Sequence, residues 1–411
     1  MNARFSWLAW HPLASLLAEF NRDGEAARVV GGAVRNALLG EPVEEWDVAT
    51  TALPEVVTAR CRARKWRVVP TGIEHGTVTV LVEGHPFEVT TLREDIETFG
   101  RHAVVAFGRD FAVDARRRDF TINALSVELD GTLHDYTGGL DDIAARSVRF
   151  IGEADTRIAE DYLRILRFFR FHARFGDGPP DPAGMAAVIR GRHGLAKLSR
   201  ERIRAELLKL LAAPRATASL QAMADAGLIG LTLSVVPRLA VLEALIADDA
   251  VNGLPFEPMT RLAALACFVR EDAERLATSL RLSNAEARDL AQIVSLSEAM
   301  RQPPDAPTLR KLVYRNGPAI TASALRLAAA RAEPAEWKTA IATAQAMPRP
   351  VLPWRGADIA ARGVPAGKAI GDILADLEQR WMAADFPDDH EGLDAMLRDA
   401  VAAGHSAMPP G

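Results

Sequence analysis

Between residues 27 and about 137 the apolar positions change period every few residues. "ARVV" (27–30) is a short apolar run into Gly31-Gly32. "AVRNALL" has helical spacing and closes on Gly40, and "WDVAT" (46–50) predicts a strand. "LPEVVTARCRAR" predicts a helix with Pro54 in its first turn, where the missing N–H costs nothing. "WRVVP", "GTVTVLV" and "FEVTTL" are β-branched, alternating runs separated by glycine-containing turns such as "VEGHP". "SVELDGTLHDY" predicts a hairpin turning at Asp130-Gly131. After Gly138 the spacing is that of Ala/Leu/Arg-rich helices, interrupted at "GDGPPDP" (176–182), "VNGLPFEP" (251–258), "RQPPDAP" (301–307) and "MPRPVLPWRG" (347–356). The first 26 residues predict an amphipathic helix that Pro12 interrupts. The class is α+β: a mixed β-sheet head over 27–150, then an elongated all-α series over 151–411.

Composition narrows the setting. At 411 residues the chain is long enough for several domains. Two cysteines, Cys61 and Cys267, make no disulfide framework and no zinc pattern, which fits a reducing, cytoplasmic location. The N-terminus lacks the basic lead of a signal peptide. No apolar stretch is long enough to span a bilayer, so no membrane association is expected. A net charge of −5 argues against wholesale non-specific nucleic-acid binding. Basic segments are nevertheless concentrated at 60–67, 115–120, 163–174 and 190–204, beside every candidate motif.

The first candidate is "VGGAVRNALLGEPVEEWDVATT" (30–51). On a strand Glu45 and Asp47, two residues apart, project from one face. Convergent carboxylates suit Mg²⁺, which takes hard oxygen ligands and leaves positions for phosphate oxygens. Gly32 lets the backbone approach a triphosphate, and the fork of Arg35 can pair with it. An exposed strand with solvated acids would look the same. Glu88 in "PFEVTTLR" changes that balance, because carboxylates from two neighbouring strands can hold two ions for nucleotidyl transfer.

The second candidate is "EDYLRILRFFRF" (160–171). On one helix Asp161 and Arg164 are i, i+3 neighbours, and Glu160 lies four residues before Arg164, placed to orient it. Such pairs are common on salt-bridged helices. They also form a reader of bases: Asp161 accepts from an exocyclic amine while Arg164 donates to an unprotonated ring nitrogen. Cytosine and adenine offer that edge; guanine and uracil offer the reverse. "LSRERIRAELLKLL" predicts a helix capped by Ser199, with an Arg202/Glu206 pair bracing it.

In order along the chain stand "GGAVRNALLGEPVEEWDVATT", "GIEHGTVTV", "FEVTTLR", "RRRDFTINAL", "DYTGGLDDI", "EDYLRILRFFRF" and "LSRERIRAELLKLL". Together they resemble the bacterial CCA-adding tRNA nucleotidyltransferase and poly(A) polymerase family, class II of the nucleotidyltransferases. The resemblance is strong over about 27–210 and weaker beyond. It implies a catalytic head, a base-selecting neck over 151–215, a body over 216–345 and a tRNA-binding tail over 346–411. It also implies addition of C, C and A to a tRNA 3′ end from CTP and ATP with two Mg²⁺ ions, and no obligate protein partner. Catalysis falls to Glu45, Asp47 and Glu88, the metal to Glu45 and Asp47, and the nucleotide to Gly32, Arg35, Arg118, Asp161, Arg164, Arg167 and Arg170. Asp119 would orient an arginine, and Asn123 would reach a ribose or a backbone group. Poly(A) synthesis, or addition of CC or A alone, uses the same motifs. The family's metal motif is Asp-x-Asp, and its first aspartate falls on Glu45, one methylene longer. That departure leaves a non-catalytic RNA-binding relative as a further alternative. Asn36 stands where the family usually has aspartate.

Overall fold

The alternating runs become strands in the order expected: β1 (Ala27–Val30), β2 (Asp47–Thr50), β3 (Arg67–Gly72), β4 (Thr77–Val82) and β5 (His85–Thr91). The hairpin at Asp130-Gly131 also forms, but two further strands precede it. β6 (Arg93–Phe99) and β7 (His102–Phe107) pair antiparallel as a separate sheet that the sequence reading left unassigned. The hairpin arms are β8 (Ser126–Val127) and β9 (Leu133–His134). The main sheet runs β3-β4-β5-β2-β1-β8-β9 and is mixed: β2 and β5 are parallel, and the other neighbours are antiparallel. The computed structural model describes residues 3–72, 76–99, 102–254, 256–332 and 334–406. Ile73 to His75 of "GIEHGTVTV" therefore lie outside the described residues.

Alternation decides which face of the sheet is dry. Val78, Val80 and Val82 of β4 and Phe87 and Val89 of β5 are buried, whereas Glu88 is exposed. The N-terminal segment completes this core. It is a 3-10 turn (Ala3–Ala9) followed by α1 (His11–Phe20), with Pro12 in the first turn of α1. Phe5, Leu8, Leu13, Leu16, Leu17 and Phe20 all pack into the head's apolar cluster. Each such side chain contributes about 1.5–3 kcal/mol on burial, so this segment is part of the head's core. The flanking helices are α2 (Gly32–Leu39), ended by Gly40 at φ +72, and α3 (Pro54–Ala63).

The helical part of the first unit begins with α4 (Phe111–Arg116) and α5 (Gly139–Ala144) in the head. It continues through α6 (Ala154–Glu160), α7 (Leu163–Phe175), α8 (Pro182–Gly191) and α9 (Arg200–Leu211). α4 stops at Arg116, so the rest of "RRRDF" follows a helix. One expectation changes here. "EDYLR" is not one helix: α6 ends at Glu160, and Asp161 is extended at φ −153, ψ 106. The chain restarts as α7 after Tyr162. The Tyr162 ring lies where a side chain on Gly194 would be, 1.9 Å from an added Cβ, so tertiary packing fixes the break. The loops at 176–181, 301–305 and 347–355 fall where the proline-rich interruptions placed them.

The chain divides into two compact units, Met1–Pro237 and Arg238–Gly411, a boundary inside the segment expected as the body. The second unit is helical from Leu239–Asn252 to His390–Ser406. Within it the fully buried Asp249 pairs with Arg261 at 3.3 Å and with Arg326. No helix among the described residues is long and apolar enough to cross a membrane.

Gly139 opens α5 against the main chain of Thr121, whose carbonyl oxygen would lie 2.4 Å from an added Cβ. Backbone cannot yield there as a side chain could. Gly139→Ala is therefore expected to destabilise the protein by about 1–3 kcal/mol. Denaturant unfolding checks this, and an unchanged midpoint would contradict the packing described.

Candidate active site

Parallel pairing of β2 with β5 sets Asp47 directly opposite Glu88. Register partners face the same side of a sheet, so both carboxylates enter one cleft of about 700 Å³. That volume accommodates a nucleoside triphosphate. Glu45 lines the same cleft, but from the irregular run that precedes β2 and not from a strand. Burial raises the carboxyl pKa of Asp47; repulsion from Glu88 and then Glu45 adds to this, while Arg118 pulls the other way. Among the described residues no three His, Cys, Asp or Glu side chains are grouped closely enough to hold a metal unaided. The donor set is thus a register-fixed pair of acids with a third nearby, and not a closed cage.

The glycine turn forms the adjoining wall. Gly31 adopts φ +71, and its hydrogen lets Arg118 Nη1 approach to 3.1 Å of where a Cβ would stand. Arg118 Nη2 donates to Asp114 at 3.3 Å, and Nη1 donates to the Asn123 carbonyl at 3.4 Å. Gly32 and Arg35 also line the cleft. Arg35 is buried, its Nη2 donates to Asn36 Oδ1 at 2.8 Å, its Nη1 donates to Asn123 Oδ1, and its guanidinium stacks 4.0 Å over Phe175. Burial, with repulsion from Arg170, pushes its pKa down to about 10. Asn36 also donates to the Pro42 carbonyl at 3.1 Å, a contact the family's aspartate could not make.

α7 closes the opposite wall with arginines that each meet an acid from elsewhere. Arg164 pairs with Glu160, Arg167 with Asp119 at 2.6 Å, Arg170 with Glu206 at 2.5 Å, and Arg174 with Glu41 at 2.7 Å. Asp119 is buried. Burial would raise its carboxyl, but Arg167, together with the Asn123 amide, holds it below the usual range. Asn123 is likewise bound to protein groups, Arg35 and Asp119.

At the break between α6 and α7, Asp161 Oδ1 accepts the Leu163 N–H at 3.1 Å and Oδ2 accepts Arg202 Nη2 at 2.6 Å. Arg202 and Glu206 therefore serve Asp161 and Arg170, not each other. Asp161, Arg164, Arg167, Arg170 and Arg202 all line the cleft that holds Asp47 and Glu88. The sequence reading missed Thr77, Thr90 and Arg117 as lining residues. Thr90 was legible, since it shares the face of Glu88 two residues earlier, and it meets Thr77 at 2.9 Å.

A model of the poly A polymerase head domain matches residues 27–149, and one for the probable RNA and SrmB-binding site of polymerase A matches 180–237. The mitochondrial CCA tRNA nucleotidyltransferase 1 of Danio rerio is 44% identical over 219 residues, 53% of this chain and 51% of its own. The Mus musculus counterpart is 35% identical over 398 residues, 93% of this chain and 88% of its own. The crystal structure of the Bacillus stearothermophilus CCA-adding enzyme in complex with CTP aligns with a TM-score of 0.70 at 26% identity, covering 99% of this chain and 100% of that one. The first alignment spans about half of each protein and the second most of both. This chain belongs to the CCA-adding tRNA nucleotidyltransferase family.

Proposed function

We infer that this chain is a CCA-adding enzyme, transferring cytidylate twice and adenylate once to the 3′ end of tRNA from CTP and ATP. The observation that carries this reading is one cleft holding both a carboxylate pair fixed by sheet register and an Asp161–Arg164 pair at a helix break. The names of the relatives and the CTP complex of the bacterial neighbour support it. Residues 27–150 act as the catalytic head and 151–215 as the neck that selects the base, and the helices of 216–345 and 346–411 hold the tRNA. The enzyme works in the cytoplasm, a reducing setting that suits Cys61 and Cys267, both free and buried.

In each transfer the primer 3′-hydroxyl oxygen bonds to the α-phosphorus, the bond to the β-phosphate oxygen breaks, and pyrophosphate leaves. The family is normally metal-dependent. Asp47 and Glu88 fit Mg²⁺, which is usually held by one or two carboxylates completed by substrate phosphates, and Glu45 adds a third acid. Bound there, the ions lower the hydroxyl pKa and neutralise charge on the departing phosphates. Gly32 lets the main chain approach the triphosphate, and Arg118 stands beside it. Arg167 and Arg170 supply the positive field, already oriented by Asp119 and Glu206. Arg35, with its donors directed to Asn36 and Asn123, braces the glycine turn.

Asp161 and Arg164 read the base. Each Asp161 oxygen has two lone pairs and gives one to Leu163 or Arg202, leaving acceptors for an exocyclic amine. Arg164 directs Nη1 to the Arg157 carbonyl at 2.7 Å and to Glu160, which leaves its other nitrogens for a ring nitrogen. The family model's polymerase description keeps poly(A) synthesis as the second reading.

Incubating tRNA transcripts that end before C, after CC and after CCA with each labelled nucleotide tests the assignment. Three additions followed by a stop are expected; long A tails would establish the polymerase, and no incorporation a binding protein. Asp47→Asn removes a charge from the ion site and is expected to lower incorporation by more than about a hundredfold with tRNA affinity unchanged. Comparable activity in filter-binding-matched samples would remove Asp47 from the mechanism. Asp161→Ala is expected to narrow the preference for CTP over UTP by roughly tenfold to a hundredfold. If only thermal stability drops and that ratio holds, the base-reading role is wrong.

A further inference from the structure

We propose that Arg157 fixes the base preference of this site without touching the nucleotide, as the positioning residue behind Arg164. This rests on the base-reading role of Asp161 and Arg164. Arg157 lies on α6 and does not line the nucleotide cleft; it lines a separate cavity of about 850 Å³. Its side chain is 17% exposed, and its donors are directed to four protein oxygens. Nη1 donates to both Glu160 oxygens, at 3.0 and 2.9 Å, Nε donates to the Ile151 carbonyl at 3.2 Å, and Nη2 donates to the Arg116 carbonyl. Its own carbonyl accepts Arg164 Nη1 at 2.7 Å, and Glu160 Oε2 accepts from the same nitrogen.

Arg164 Nη1 is therefore gripped twice, by the main chain of Arg157 and by the acid that the Arg157 side chain holds. The grip has a geometric purpose. A guanidinium is planar, so fixing one nitrogen and the plane decides where the remaining N–H groups point. Glutamate alone is a poor anchor, because its side chain loses rotamer freedom whenever it is held. Arg157 Nη1 engages both Glu160 oxygens and so restricts that freedom. The contacts to Ile151 and Arg116 tie the anchor to the link that precedes α6 and to the end of α4. The base reader is thus placed relative to the arginine segment that follows Arg116. Arg202 holds Asp161 in a comparable way, but it lines the cleft and can touch substrate.

The test compares kcat/KM for CTP, ATP, UTP and GTP in wild type, Arg157→Ala and Arg157→Lys, and in Arg157→Ala combined with Arg164→Ala. Arg157→Ala is expected to reduce the preference for CTP over UTP by roughly tenfold, through loss on CTP and ATP, because a remote change misplaces the reading group. Arg157→Lys keeps a charge for Glu160 and is expected to retain an intermediate preference. In the Arg164→Ala background Arg157→Ala should change the preference no further, since both act through one group. Equal losses for all four nucleotides, or full additivity in the double variant, overturn the proposal and leave Arg157 a fold-stabilising residue. If Arg157→Ala does not fold, Arg157→Lys decides, and an unchanged preference there overturns the proposal. A wild-type enzyme without preference for CTP and ATP would overturn the base-reading role as well, a result distinct from either.

Discussion

The first unit depends on a row of ion pairs along α7. Arg164, Arg167, Arg170 and Arg174 lie on one face, and their partners come from α6, the segment after α4, α9 and the turn after α2. Phe171 stands within the row, 4.1 Å from Arg170 and 5.2 Å from Arg167. Arg170 with Glu206 is the most buried pair of the row, and removing one of its members strands a charge, whereas the half-exposed Arg174 with Glu41 is worth about 0–1 kcal/mol. The helix that carries Arg164 is thereby tied through Asp119 and Glu41 to the head that carries Asp47 and Glu88. Ile165, Phe168 and Phe169 bury the other side of the same helix, so its two faces divide the work between packing and charge.

This arrangement explains what the sequence made legible. The i, i+3 spacing of arginines in "LRILRFFRFHAR" announces one charged face, and alternation in "FEVTTL" announces that Glu88 points away from the core. β2 and β5 prove to be neighbours, the condition on which the sequence could bring Asp47 to Glu88. Partner identities were not legible, because Asp119, Glu206 and Glu41 reach α7 only through the tertiary fold. Local spacing suggested Arg202 with Glu206, which are i, i+4; the fold outbids that pairing with Asp161 and Arg170.

The break before α7 was hidden for a related reason. Nothing in "AEDYLRI" opposes a continuous helix on propensity alone. The chain departs from helix at Asp161 because Tyr162 fills the space that Gly194 leaves and because Arg202 draws the Asp161 carboxylate aside. The β6 and β7 pair was missed because "REDIETF" is too polar to announce a strand. The buried Asp249 with Arg261 and Arg326 is likewise a product of helices meeting, not of local pattern.

The three acids of the cleft are not anchored alike. Main-chain hydrogen bonds of a parallel strand pair fix Asp47 and Glu88, so a longer side chain at either place would drive its carboxylate into a new position. Glu45 belongs to the irregular run between α2 and β2, where the chain can retreat by the length of one methylene. The position at which this protein departs from its family's acidic pair is the one that no strand holds. A run of chain with slack can take a longer side chain without moving the rigid acids beside it, so the register of Asp47 with Glu88 is kept whatever stands at 45.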